Sequence, residues 1–212
     1  MDAGAPKFRR RKADRPAEIV SAALAVFAEK GFAAAKLDDI AARAGVSKGA
    51  VYLYFETKED VFRAVVEQAI APNIGAVKAM AAAHPGPLAD LLRGVTGHVA
   101  RVVATQPLGG VLKMVVGEAR NFPEIARVWY DELVSQALGA MAAAISAAMD
   151  RGEVKPGDPR AYALQLIAPL LVAVLHQETF VPVGAEPFDL PALLNQHIET
   201  LLNGMLTEGA RS

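Results

Sequence analysis

Apolar residues recur at helical spacing through most of the chain, and the gaps between the periodic stretches hold glycines and prolines. Near the front, Ile19, Ala23, Val26 and Phe27 form one stripe. It predicts a helix over residues 16–30, with Pro16 in its first turn and Gly31 at its end. Leu37, Ile40, Ala41 and Ala44 fall at i, i+3, i+4 and i+7 and predict a second helix over residues 37–44. Gly45 supplies a positive-φ stop, and Ser47 is a good N-cap for a third helix over residues 48–55. That helix turns Val51 and Phe55 inward and leaves Lys48, Gly49, Tyr52 and Tyr54 to a surface. The pair has the form of a helix-turn-helix. Thr57-Lys58-Glu59-Asp60 resembles a capping box ahead of a fourth helix, where Val61, Phe62, Val65, Val66 and Ala69 keep the period and Pro72 predicts a kink or break.

Past the loop His84-Pro85-Gly86-Pro87 the pattern stays helical over residues 88–105, 108–121, 123–151, 159–180 and 189–207, with no convincing strand alternation. The expected fold is all-α with about nine helices: an N-terminal three-helix helix-turn-helix domain and a C-terminal helical domain. Tyr162, Leu164, Leu166, Ile167, Leu170, Leu171, Val174 and Leu175 cover most of a helix circumference, so that helix needs cover on several sides. Either it is a central core helix or a second copy of the chain covers it. Leu193, Leu194, Ile198, Leu201, Leu202 and Met205 on the last helix offer a partner stripe, and two such pairs would build a four-helix homodimer interface.

The formal net charge of −1 hides an asymmetry: residues 1–63 hold 12 Lys and Arg against 9 Asp and Glu, the remainder 10 against 14. Lys7, Arg9, Arg10, Arg11 and Lys12 crowd the first 14 residues, which read either as a solvated disordered tail or as a basic arm for phosphates or a minor groove. With no cysteine there is no disulfide, thiolate metal site or thiol nucleophile, and the four histidines lack metal-ligand spacing. No P-loop, G-x-G-x-x-G, G-x-S-x-G or H-E-x-x-H occurs, so no enzyme and no cofactor is indicated. The most apolar run, residues 161–175, is too short to span a bilayer and holds Gln165 and Pro169; no apolar segment follows the basic N-terminus. A cytoplasmic protein without membrane contact is expected.

The motif Ile19-x-x-Ala22-Ala23-x-x-x-Phe27-x-x-x-Gly31-Phe32, then Asp39-Ile40-Ala41-x-x-Ala44-Gly45-Val46-Ser47-Lys48-Gly49, then Val51-Tyr52-x-Tyr54-Phe55-x-x-Lys58-Glu59-Asp60-Val61-Phe62, resembles the tetracycline-repressor (TetR-like) family of bacterial transcriptional regulators. Residues 112–126 are similar to a segment of one ligand-domain subgroup. The resemblance implies a basic arm over residues 1–14, a DNA-binding domain over 15–60, and an effector-binding and dimerisation domain over 61–212. It implies a repressor that binds a palindromic double-stranded operator as a dimer and is released by a small effector.

Carried onto matching positions, the resemblance implies that Lys48 reaches a guanine edge or a phosphate and that Gly49 allows close backbone approach. Tyr52 and Tyr54 would contact phosphates or a thymine methyl, with interhelical packing as the other reading, and Lys58 would anchor a phosphate. Arg9, Arg10 and Arg11 belong to the arm. Ser47 caps the recognition helix; Ala50 stands where Thr or Ser is usual, and Lys36 stands where a better cap is usual, as a loss of stability or as a phosphate ligand. Met114, Glu118, Trp129, Tyr130, Tyr162, Gln165 and His176 are the candidate effector contacts, and their apolar surroundings favour a hydrophobic or aromatic molecule. A helical DNA-binding protein without an effector, or an enzyme with an unrecognised site, are the alternatives.

Overall fold

The computed structural model describes residues 7–210, with side chains from Arg15 onward; the side chains of Arg9, Arg10 and Arg11 therefore lie outside the described residues. Among the described residues nine helices follow one another: α1 Lys7–Ala34, α2 Leu37–Ala44, α3 Lys48–Tyr52, α4 over residues 58–83, α5 Leu88–Thr105, α6 Leu108–Glu118, α7 Pro123–Asp150, α8 Pro159–Thr179 and α9 Leu190–Met205. The all-α expectation holds. Helix α1 starts nine residues ahead of the predicted position and carries Pro16 inside it.

Helix α4 answers its proline without ending. Lys58–Val65 is α-helical, Val66–Ile70 widens into a π turn, and Ala71–Ala83 resumes with Pro72 in its first turn. A proline ring clashes with the carbonyl four residues back and lacks the donor for it; a wider turn accommodates both. Helix α7 contains a second π turn, Tyr130–Val134.

Two apolar cores divide the chain. The first joins α1, α2, α3 and the front of α4 to α6 and the start of α7, around the rings of Phe27, Phe32 and Phe62. The second joins the end of α4 with α5, the end of α7, α8 and α9. Helix α6 sits at the junction. Its Gly110 lies so close to α1 that an added methyl would stand 2.8 Å from the Ala28 Cβ and 2.9 Å from the Ala28 carbonyl oxygen. Gly110→Ala must therefore spread α1 from α6. We expect a loss of about 1–3 kcal/mol in urea unfolding, the range of core overpacking.

The far end is closed by Glu153, which accepts from the Leu88 N–H at 2.8 Å and from Arg151 Nε at 2.6 Å. The Arg151 hydrogen bond chiefly, then the Leu88 amide, hold its carboxyl below the ordinary 4.5. A lowered folded-state pKa contributes stability above the unfolded value that is lost as pH falls through the folded one. The melting-temperature gap between the wild type and Glu153→Gln is thus expected to be full near neutrality and to close below pH 4.5.

Two sequence expectations change. On α9, Ile198, Leu202 and Met205 are buried in the chain's own second core, because α9 packs on α5, and Leu194 is buried as well; this part of the expected partner stripe is already covered within the chain. Second, the apolar run expected to be too short to span a bilayer lies within Pro159–Val183, a continuous helical stretch in which Pro169 makes no break. By length and composition Pro123–Asp150 and Pro159–Val183 could each cross a membrane. Their inner faces instead go to the second core and to the cavity described below.

Candidate nucleic-acid interface and effector cavity

The turn between α2 and α3 is built by backbone chemistry that the sequence dictates. Gly45 adopts φ 66°, ψ 32°; its N–H bonds the Ala42 carbonyl, and the Val46 N–H bonds that of Ala41. This paired ending needs a left-handed residue, which glycine adopts without strain. Ser47 then accepts the Ala50 N–H at 3.2 Å and starts α3. Regular helix ends at Tyr52, short of the predicted residue 55, although the Leu53 and Phe55 amides still bond back to Gly49 and Val51. Val51 and Phe55 are buried as their spacing requires.

What α3 shows to solvent is a compact chemical set. Ser47, Lys48, Gly49, Tyr52 and Tyr54 are exposed and Ala50 is half-buried; no atom lies within 4 Å of where a Gly49 side chain would begin. Lys48 Nζ reaches Asp38 of α2 at 2.8 Å and lies 5.9 Å from the Tyr52 ring centre. The Asp38 hydrogen bond holds the ammonium above its ordinary pKa, so Lys48 keeps its proton throughout the physiological range. Lys36 is exposed at the N-cap of α2, where its N–H donates to Asp39 at 3.2 Å. A lysine side chain cannot accept the amide bond that a serine there would take. Leu53 was missed in the sequence: at 79% exposed it extends the same face. Its position between the two inward residues Val51 and Phe55 was the available signal.

Lys58 is elsewhere. Its ammonium donates to the carbonyls of Phe32, Ala33 and Ala35 and lies 4.4 Å from the Phe32 ring centre. A cation at the end of α1 satisfies carbonyls that the helix leaves open. Lys58 thus staples α4 to α1, in place of the free phosphate ligand expected. Thr57 and Asp60 form the predicted capping box: the Thr57 hydroxyl accepts the Asp60 N–H at 3.1 Å, and Asp60 accepts the Thr57 N–H at 2.9 Å.

Glu118 also leaves the set assigned to it. At the end of α6 it accepts the N–H of Phe32 at 2.9 Å and of Ala33 at 2.7 Å, the two residues that follow Gly31. Gly31 has φ 78°, and any side chain there would begin 2.5 Å from Glu118 Oε1. The carboxylate is therefore a clasp between α6 and α1, closed from the far side by Phe122 against Phe32.

Between α4, α5, α6, α7 and α8 lies a cavity of about 220 Å³. Of the seven candidate effector contacts, Trp129 lies on its wall. Met114 is turned into the first core, where it packs with α1; Tyr130 is exposed on the π turn of α7. Tyr162 packs on the second core, beside Gly157. The exposed Gln165 accepts His197 Nε2 on its backbone carbonyl, and His176 lies against the rings of Phe180 and Phe188. Polar or aromatic character alone does not mark this wall, which is mostly aliphatic, and six of the seven residues serve at the surface or in the cores. Asn73 and His98, both on the wall, were not singled out as effector contacts. Each is a lone polar position inside an apolar helical stripe, which was the signal to read.

An outward two-helix motif, a clasped α6 and an apolar cavity among the later helices together define a helical DNA-binding regulator. Residues 19–65 match the model for bacterial regulatory proteins of the tetR family, and residues 82–187 match a tetracyclin repressor-like C-terminal domain. The chain belongs to the tetR family of bacterial transcriptional regulators, which are not enzymes.

Three similarities give the scale. The HTH-type transcriptional repressor BepR of Brucella suis is 27% identical over 193 residues, 88% of this chain and 90% of that protein. The uncharacterized HTH-type regulator YfiR of Bacillus subtilis is 43% identical over 63 residues, 29% of this chain; the match spans about a third of that regulator's length, 31%. SmeT, the repressor of the Stenotrophomonas maltophilia multidrug efflux pump SmeDEF, has been solved with triclosan; that structure superposes with a TM-score of 0.75 at 25% identity, over 93% of this chain and 94% of the other.

Proposed function

We propose that this ligand-responsive DNA-binding regulator works as a two-fold repressor dimer, with residues 15–60 as the reading unit and 61–212 as the effector and dimer unit. Lys36, Ser47, Lys48, Gly49, Ala50, Tyr52 and Tyr54 form its contact set for double-stranded DNA, with Leu53 added. Phosphate contacts from such groups position the unit and a few base contacts specify the site. Two recognition helices about 34–36 Å apart would meet successive major grooves of a palindromic operator.

One observation carries this reading: α6 serves two neighbours at once. Leu108, Gly109 and Leu112 line the cavity, while Gly110, Val111, Met114 and Val115 pack into the first core. Glu118 then grips the end of α1. A small apolar or aromatic effector in the cavity can favour one α6 position and thereby one spacing of the reading units. Coupling of this kind is typically about 1–3 kcal/mol, a several-fold to hundredfold change in operator affinity.

The dimer draws support from α8, whose Leu164, Leu171 and Val172 are exposed, followed by Phe180, Val183 and Phe188. A concentration of exposed large apolar residues along one helix and the segment after it is what an interaction site needs. A cytoplasmic location goes with binding to DNA. Light scattering at micromolar concentration is expected to return twice the chain mass; a monomer overturns the dimer. A thermal-shift screen separates a regulator from a DNA-binding protein without an effector, since a molecule that binds the folded state raises its apparent stability.

A further inference from the structure

The cavity's chemistry narrows the effector, given the proposed reading of the cavity as the effector site. No Asp, Glu, Lys or Arg stands on its wall. A charged group buried there would go unpaired, at a cost far above what apolar contact returns. The occupant's buried part is therefore neutral. Its size follows from the volume: an apolar cavity of about 150 Å³ holds benzene, and this one, at about 220 Å³, has room for a one- or two-ring molecule. The long wall residues Leu108, Leu112, Ile167 and Leu170 line it alongside Trp129, so flat ring surfaces meet carbon along the wall.

One polar atom on this wall lacks a partner. His98 of α5 lines the cavity, and its Nε2 is sealed from solvent with no hydrogen bond. The neighbouring polar wall residue, Asn73, is engaged with the Ala69 carbonyl and with Gln106 Oε1, both at 3.4 Å. A buried nitrogen left unmade is costly, and a ligand that satisfies it recovers that cost. As the ring stands Nε2 does not open onto the cavity, so pairing with an occupant requires the imidazole to turn about χ2, a broad torsion.

We propose that the effector is a neutral aromatic of one or two rings carrying a hydroxyl, and that this hydroxyl pairs with His98 Nε2. Either tautomer serves, because a hydroxyl both donates and accepts. A carboxylate, whose charge the wall cannot match, is turned away.

Three probes of one ring shape test this: 6-bromo-2-naphthol, 2-bromonaphthalene and 6-bromo-2-naphthoate, titrated into the intact protein by calorimetry. Trp129, the chain's one tryptophan, lies on the wall, so heavy-atom quenching of its fluorescence reports binding in the cavity and not on the surface. The naphthol is expected to bind about tenfold or more tighter than the bromonaphthalene, and the naphthoate not to quench. His98→Phe should abolish the naphthol's advantage while bromonaphthalene still binds; His98→Gln, which keeps a donor and an acceptor, should retain part of it. Equal binding of the first two probes, preference for the naphthoate, or an advantage that survives in His98→Phe overturns the role of His98 and leaves the cavity reading standing. Failure of all three probes to quench Trp129 overturns the cavity reading itself.

Discussion

Replacing Lys48 with alanine is expected to weaken operator binding about ten- to a hundredfold while leaving the melting temperature and the dimer unchanged. The magnitude is that of a good base or charged contact, made once in each half-site. The fold does not depend on the residue: Lys48 stands in solvent and its ion pair with Asp38 is exposed on both sides, a class of pair that adds little to stability. Asp38 gives the prediction a sign test. In the free protein it holds the ammonium that DNA must claim, and it adds a negative charge beside the contact face. Asp38→Asn should thus move affinity the opposite way, with the larger gain at low salt, where phosphate attraction is strongest. Tyr52→Ala should resemble Lys48→Ala. Gel-shift titrations of the three variants at two salt concentrations decide the matter, and unchanged affinity for both Lys48→Ala and Tyr52→Ala would remove α3 from the interface.

The second large effect belongs to Glu118. Its carboxylate takes two backbone amides at the end of α1, one of them that of the buried Phe32. Hydrogen bonds to a charged group are worth about 1.5–3 kcal/mol each, less where water can substitute. Glu118→Ala is therefore expected to lower unfolding stability by about 2–4 kcal/mol. It should also separate the two functions: the effector still binds, yet operator affinity no longer responds to it, because α6 has lost its hold on α1. Glu118→Gln keeps one acceptor but points an N–H₂ at the other amide, so it should lie between. A variant that loses stability while keeping the full effector response would restrict Glu118 to a structural role.

The reading unit was legible in the sequence because its determinants are local. A stripe at i, i+3, i+4 and i+7, a glycine stop, a serine cap and a Thr57/Asp60 capping box each act within one or two turns, and the helices follow them closely. The C-terminal helices were legible for the same reason, and their ends fall within a few residues of the gaps in the pattern. Tertiary choices were not. Nothing near Lys58 in sequence shows that the end of α1 lies within reach of its ammonium, and Glu118 is 85 and 86 positions from the amides it clasps. Periodicity likewise marks the apolar face of α9 without saying whether the chain or a second copy will cover it. The cavity was least legible, since its wall is made of the same leucines and valines that fill a core. What betrays it is a polar residue, His98, at a position where a core would hold carbon.

A two-fold reader of DNA whose grip depends on an occupant of the apolar cavity should select a different set of sequences when that cavity is filled. The most direct test is selection of bound sequences from a random double-stranded pool, with and without a molecule shown to quench Trp129. A palindrome with half-sites one helical turn apart is expected, recovered without the molecule and lost or strongly depleted with it. A non-palindromic or sequence-blind output, or a palindrome recovered equally well in both arms, would contradict it.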